Sequence, residues 1–297
     1  MSLQAFIMNY FLKKMNQKNS HDIIDYNMIR ENNKKIIHNF SKKIIFKKII
    51  HNGLTIEEAT KTDNDKLLFY IHGGGFTTGS AAERREIVEF LVTKFGYHCF
   101  SIDYNLSPEH KWPRHLDDVL EAYLYLHERG VDVSKMVVAG ESAGATLALS
   151  LLLKLKELNL CMPKAVLAFS PCTNQADGFP SHREKAKTDY MLGDTVNSKL
   201  QKQAIFGDNW NDLTYLRSPL ISPFYGDYDS LPPIFLSASD NEVLYDDSVE
   251  LYQKLKQRKH KVEIDIQHNV FHAYPMFPKI PEARKTLKKA FDFVQGK

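Results

Sequence analysis

From residue 66 to residue 170 the chain alternates short apolar runs with helix-like stretches. Lys66–His72, Tyr97–Asp103, Lys135–Ala139 and Ala165–Ser170 read as strands. Ala82–Phe95, Leu116–Glu128 and Ala143–Leu158 read as helices between them. Lys66–His72 ends in glycines, as a buried strand does. Regular alternation of this kind is the pattern of a mostly parallel sheet with helices on both faces. The expected fold class is therefore α/β.

The flanking regions complete the plan. Lys42–Ile50 and Leu54–Thr60 read as two strands about a His51-Asn52-Gly53 turn. Residues 173–230 break the alternation, being rich in Gly, Pro, Asp, Tyr and Ser, with one or two helices around Thr195–Phe206. The alternation resumes with strand Pro233–Ala238, helix Asp246–Arg258, strand Val262–Gln267 and helix Pro281–Val294. Residues 1–40 look helical, with Ser20 or Asp22 as N-caps of a second segment. The simplest organisation is a core of residues 42–172 and 231–297, an N-terminal helical arm of residues 1–41 and an insertion of residues 173–230. Arm and insertion are expected to lie together over the C-terminal edge of the sheet, where such folds bind ligands.

Charge and composition exclude several classes. There are 39 Lys and Arg against 36 Asp and Glu, a net charge of +3, too balanced to imply a nucleic-acid partner. No apolar stretch reaches the 18 or so residues of a membrane span. Cys99, Cys161 and Cys172 are odd in number and form no CxxC pair. A disulfide framework or cysteine-based zinc site is not expected, and a reducing cytoplasm is. The charge is uneven: residues 1–50 carry ten Lys or Arg and three Asp or Glu. A solvated basic arm is the simple reading of that excess, and an anionic surface partner is the alternative. The first residues are apolar at 3, 6, 7, 11 and 12, near helical spacing. Their charges follow the apolar run, which does not read as a secretory signal. They are expected to form an amphipathic helix that packs on the body.

Two glycine motifs carry chemistry. Gly140-Glu141-Ser142-Ala143-Gly144 fits G-x-S-x-G. It follows an apolar strand and opens a helix, the strand–turn–helix context of a nucleophile elbow that exposes the Ser142 hydroxyl. His72-Gly73-Gly74-Gly75 follows another strand. Its backbone N–H groups, unobstructed by side chains, suit an oxyanion together with the N–H of Ala143. A phosphate-binding loop is discounted, because neither G-x-x-x-x-G-K-[ST] nor G-x-G-x-x-G is present. An attacking hydroxyl needs a base, and the base needs an orienting acid. In such folds the chain order is serine, acid, histidine. The acid belongs just after Pro233–Ala238, where Asp240 and Glu242 both qualify. The base belongs after Val262–Gln267, where His268 and His272 compete, and His272 lies deeper in the loop. The other histidines, including His51, His98, His115 and His182, lack ligand spacing such as H-E-x-x-H and read as surface or structural groups.

Asp103-Tyr104-Asn105-Leu106-Ser107-Pro108-Glu109-His110-Lys111-Trp112-Pro113 resembles the D-Y-R-L-A-P-E-H-x-x-P segment of the hormone-sensitive-lipase-like α/β-hydrolases. With His72–Gly75 and Gly140–Gly144 in the right order, the resemblance spans about residues 66 to 296. It implies an α/β-hydrolase fold with a helical cap, no cofactor and no metal. It also implies carboxylesterase activity on a small ester, mostly of short acyl chains from acetyl to about hexanoyl. The family's D-P-L-x-D-E aligns with Glu242-Val243-Leu244-Tyr245-Asp246-Asp247, which favours Glu242 over the alternate acid Asp240. Asp246 and Asp247 are then expected to cap the next helix. The family's G-M-x-H-x-[FW] aligns with Asn269–Tyr274 and favours His272. Asp103, Tyr104 and Glu109 are implied to brace the site loops, and Gly74, Gly75 and Ala143 to form the oxyanion hole. Asn105 and Ser107 depart from the usual Arg and Ala, which concerns loop packing more than chemistry. Some relatives dimerise through edge strands or the last helix, so a homodimer stays open.

Phe6, Tyr10, Phe11, Phe179, Tyr190, Phe206, Trp210 and Tyr215, from the arm and the insertion, are candidates to wall an acyl pocket. A long-chain lipase would need a broad interfacial patch, which a mean hydropathy of −0.36 does not advertise. Two other readings remain: an amidase, arylformamidase or deacetylase with the same motifs, and a non-catalytic ligand-binding relative.

Overall fold

The computed structural model describes residues 1–16, 25–36, 44–61, 66–193 and 198–297. Eight strands form one sheet: β1 (Ile45–His51), β2 (Leu54–Thr60), β3 (Leu67–Ile71), β4 (His98–Asp103), β5 (Met136–Glu141), β6 (Ala165–Phe169), β7 (Ile234–Ser239) and β8 (Val262–Gln267). Their order is β1-β2-β4-β3-β5-β6-β7-β8. β1 and β2 form an antiparallel hairpin, with His51 opposite Leu54, and β2 pairs antiparallel with β4. Every other pairing is parallel. Among the described residues ten helices accompany the strands: α1 (Leu3–Asn16), α2 (Tyr26–Ile36), α3 (Arg85–Phe90), α4 (Arg114–Glu128), α5 (Ala143–Glu157), α6 (Ser181–Glu184), α7 (Lys199–Phe206), α8 (Leu213–Leu216), α9 (Tyr245–Gln257) and α10 (Pro281–Gln295).

The period-two alternation of the strands builds two cores. Phe69, Ile71, Val138, Val166 and Leu236 face α4, α5 and α9. Leu68, Tyr70, Val137, Leu167 and Phe235 face α3 and α10 on the other side. The inner parallel strands are therefore buried on both faces, which is why β5 and β6 are buried at every position, while the edge strand β8 exposes Glu263. Because β3 and β5 to β8 run parallel, their C-terminal ends meet on one edge. The loops after them bring together residues that are far apart in sequence.

The predicted core elements agree with these within a few residues. The N-caps expected at Ser20 or Asp22, the first two residues of the strand expected at Lys42–Ile50 and the first three of the helix expected around Thr195–Phe206 lie outside the described residues.

One expectation holds only in part. A helix forms at the start of the chain and packs on the body, but of the apolar residues at 3, 6, 7, 11 and 12 only Leu12 meets it. Ala5 is buried against Val270, Phe271 and Tyr274, with Met8 and Leu12 beside it. Leu3, Phe6, Ile7 and Phe11 are exposed. α1 is apolar on two opposite faces, so its pattern does not select the inward one and packing decides. Among the described residues, no helix is long and apolar enough to cross a membrane.

Candidate active site

β5 delivers Ser142 at its end, and α5 begins at the next residue. Ser142 stands at φ 55° and ψ −124°, a strained conformation for a residue with a Cβ. The turn is tight because the chain must come back against β3. A Cβ at Gly144 would run into the carbonyl oxygens of Ile71 and His72, so only glycine fits there.

The glycine loop after β3 is fixed from beneath. Glu141 is 1% exposed. Its carboxylate accepts from the Gly73 N–H at 2.6 Å, Arg84 Nε at 2.6 Å and the Tyr70 hydroxyl at 2.7 Å. Gly74 adopts φ 117°, beyond the reach of L side chains, and its carbonyl accepts from the N–H groups of Thr77 and Thr78. The N–H groups of Gly74 and Gly75 have no partner among the described residues. Ala143 opens α5, so its N–H belongs to the unpaired first turn. Breaking a buried ion pair by removing one partner leaves an uncompensated charge. Arg84→Met is therefore expected to cost about 3–5 kcal/mol of stability. Denaturant unfolding checks this, and an unchanged midpoint would show the pair to be idle.

The segment after β4 braces the same loop. The Tyr104 hydroxyl donates to the His72 carbonyl at 3.0 Å, and the two rings stack with centroids 4.3 Å apart. Burial pushes His72 down to about 4, so it is a neutral structural ring. Asp103 accepts from the Ala81 N–H at 2.6 Å. Glu109 pairs with Arg30 of α2, whose guanidinium also donates to the carbonyls of Thr77 and Ser107. The two departures from the family pattern are both hydrogen-bonded. Asn105 donates through its backbone and side chain to buried Asp118. The Ser107 hydroxyl donates to the His110 carbonyl and meets His115 Nε2 at 3.0 Å.

The loops after β7 and β8 separate the competing residues. His272 Nδ1 lies 2.8 Å from Glu242 Oε2, with both side chains buried. Glu242 Oε1 also accepts from the Ser239 N–H at 3.1 Å. His268 Nδ1 lies 2.7 Å from Asp240 Oδ2, and that pair sits at the surface. Each histidine thus has its own carboxylate. Burial pushes the Glu242 carboxyl up, and the hydrogen bond and charge of His272 oppose this. Burial works against the His272 imidazolium, but the hydrogen bond and charge of Glu242 outweigh it and hold His272 above its ordinary value. His272 Nε2 is buried with no partner among the described residues. His72 Nε2 and His115 Nδ1 are buried without a partner too, but His272 alone of the three has a carboxylate on its other nitrogen and lines the cleft.

Ser142 and His272 line one cleft of about 880 Å³, together with Gly73, Gly74, Gly75, Glu141 and Ala143. None of the eight aromatics expected to wall it does so; the apolar lining includes Met8, Leu12, Met191, Ile205, Met276 and Phe277. Lys202 also lines it, donating to the Gln175 carbonyl at 2.7 Å. Asp246 and Asp247 correct another expectation. They sit in the first turn of α9, but their carboxylates bond the insertion instead of capping the helix. Asp246 accepts from the Ser181 N–H, and buried Asp247 from the N–H groups of Thr173 and Asn174 and from His182.

The sequence reading also missed Arg84, Tyr70, Arg30 and Asp189. Buried Asp189 accepts from the Val243 N–H at 3.0 Å, so the insertion grips the residue beside Glu242. No motif announces such partners, because the pairs span long sequence separations. Among the described residues, no three His, Cys, Asp or Glu side chains converge as a metal site would need.

A mostly parallel sheet with a strained serine elbow, a glycine loop and a buried His–carboxylate pair on one edge defines a hydrolase of the α/β class. Residues 68–276 match the family described as an alpha/beta hydrolase fold, and the chain belongs to that family. It is 31% identical to an esterase of Acinetobacter venetianus over 229 residues, covering 77% of this chain and 74% of the relative. It is 29% identical to an acetyl-hydrolase of Streptomyces hygroscopicus over 231 residues, covering 77% and 75%. The crystal structure of EstE5 superposes with a TM-score of 0.88 at 24% identity, covering 100% of this chain and 99% of that one. A hormone-sensitive lipase from a metagenome library superposes equally well, at 0.88 and 23% identity, covering 100% and 98%.

Proposed function

We propose that the chain is a serine carboxylesterase that cleaves short-chain acyl esters, acetyl to about hexanoyl, through a covalent acyl-enzyme. The observation that carries the reading is the buried Glu242–His272 pair, whose free Nε2 shares a cleft with the elbow serine. The esterase and acetyl-hydrolase relatives support it.

His272 Nε2 takes the Ser142 proton as Oγ bonds to the ester carbonyl carbon. The carbonyl oxygen becomes an oxyanion on the N–H groups of Gly74, Gly75 and Ala143. The carbon–oxygen bond to the alcohol then breaks, and the imidazolium protonates the departing oxygen. Water, deprotonated by the same histidine, attacks the acyl-enzyme. The tetrahedral intermediate collapses, the proton returns to Ser142, and the acid leaves. Glu242 holds the tautomer and stabilises the imidazolium. Residues 1–41 and 173–230 serve as the cap over this site. With no paired cysteine, the protein suits a reducing cytoplasm.

Initial rates on p-nitrophenyl acetate, butyrate, octanoate and palmitate test the proposal. Saturable turnover favouring acetate or butyrate is expected. No turnover at any length, or turnover only of amide analogues, would overturn it.

The pH profile provides a second check. The base works in its neutral form, and Glu242 holds the His272 pKa above the ordinary 6.5. Activity is therefore lost on acidification, with the acid limb of kcat/KM centred above pH 6.5. A limb centred below that value would contradict the assignment.

A further inference from the structure

The outward face of α1 has no partner among the described residues. Leu3 is 71% exposed, Phe6 56% and Phe11 57%, and Ile7 and Tyr10 are also exposed. The spacing i, i+3, i+4, i+7, i+8 puts these five side chains on one stripe. The opposite face of the same helix is Ala5, Met8 and Leu12, which meet the body and the cleft. A helix apolar on both faces is normally covered on both. Contiguous exposed apolar side chains of this kind mark an interaction site.

The charge around the stripe says what covers it. Lys14 lies within the stripe at its C-terminal end, over the Tyr10 ring, and Lys13 lies at its border, over Tyr190. Aromatic and aliphatic side chains bordered by lysines match the interface of an anionic bilayer: rings at headgroup depth and ammonium groups on the phosphates. A second copy would set the same helix against itself, and α1 holds no Asp or Glu to pair with Lys13 and Lys14.

We infer that α1 docks the protein on anionic phospholipid surfaces through Leu3, Phe6, Ile7, Tyr10 and Phe11, with Lys13 and Lys14 on the headgroups. Because Met8 and Leu12 line the cleft from the inner side of the same helix, docking sets the cleft beside the lipid surface. The inference concerns binding and stands whether or not the esterase reading does.

Vesicle flotation of the full chain tests it, using phosphatidylcholine alone and phosphatidylcholine with one third phosphatidylglycerol. Partitioning onto the anionic vesicles is expected to be about tenfold stronger or more, and to weaken at high salt. Phe6→Ser with Phe11→Ser should abolish it. Lys13→Glu with Lys14→Glu should remove the anionic preference. Both pairs are exposed, so the thermal midpoint should not move. Three outcomes would overturn the inference: no flotation with either vesicle, equal flotation with both, or a dimer in solution that the Phe6 and Phe11 substitutions dissolve. The last would make the partner a second copy of this chain.

Discussion

Ser142→Ala is expected to lower kcat on p-nitrophenyl butyrate by a factor on the order of 10⁶, to the level of the residual polar site. The hydroxyl is the only atom removed, so the glycine loop and the His272–Glu242 pair keep their places. The strained φ of 55° stays as costly for alanine as for serine. Stability should therefore change little while turnover disappears. Steady-state rates beside a thermal melt separate the two. Turnover surviving in a folded Ser142→Ala protein would mean that the elbow is structural and that another nucleophile acts.

The second large effect distinguishes the two carboxylates. Glu242→Gln keeps the shape of the side chain but can offer His272 Nδ1 an N–H donor. That turns the imidazole to the tautomer that carries its proton on Nε2, where it cannot take one from Ser142. A loss of about 10⁴-fold in kcat is expected. The histidine also loses the charge that raises its pKa, so the acid limb should move to lower pH. Asp240→Asn removes the charge beside His268 at the surface, keeps an oxygen for the Asn269 N–H, and should leave kcat within about twofold. If Asp240→Asn were the damaging substitution, the acid would be misassigned. If neither mattered, His272 would act without an orienting carboxylate.

The ease of reading different parts of this chain follows from the range of the forces involved. β3, β5 and β6 are legible because strands buried on both faces must be apolar throughout. The elbow is legible because a tight strand–turn–helix admits glycine at residue 144 and little else. Glu242 could be favoured over Asp240 by alignment alone. What separates them physically is depth: one carboxylate is buried beneath its histidine, the other lies at the surface. The inward face of α1 could not be read, since leucine occurs on both of its faces, phenylalanine on one and methionine on the other. Nor could the cleft lining, because methionines from residues 8, 191 and 276 meet only after the chain has folded. Asp246 and Asp247 looked like caps because acids favour a first turn. The insertion claimed their carboxylates because its backbone N–H groups at Thr173, Asn174 and Ser181 needed acceptors.

The cleft takes its proton-handling groups from loops at the ends of β5, β7 and β8 and much of its wall from α1, α2 and the stretch after α6. Reactivity and selectivity are thus written in different stretches of the gene. A substitution at Met8, Leu12 or Met191 is therefore expected to alter which molecules fit without touching the buried Glu242–His272 pair. The two stretches are tied together at the insertion, where Ser181, Lys185, Thr188 and Asp189 all bond the backbone of the loop after β7.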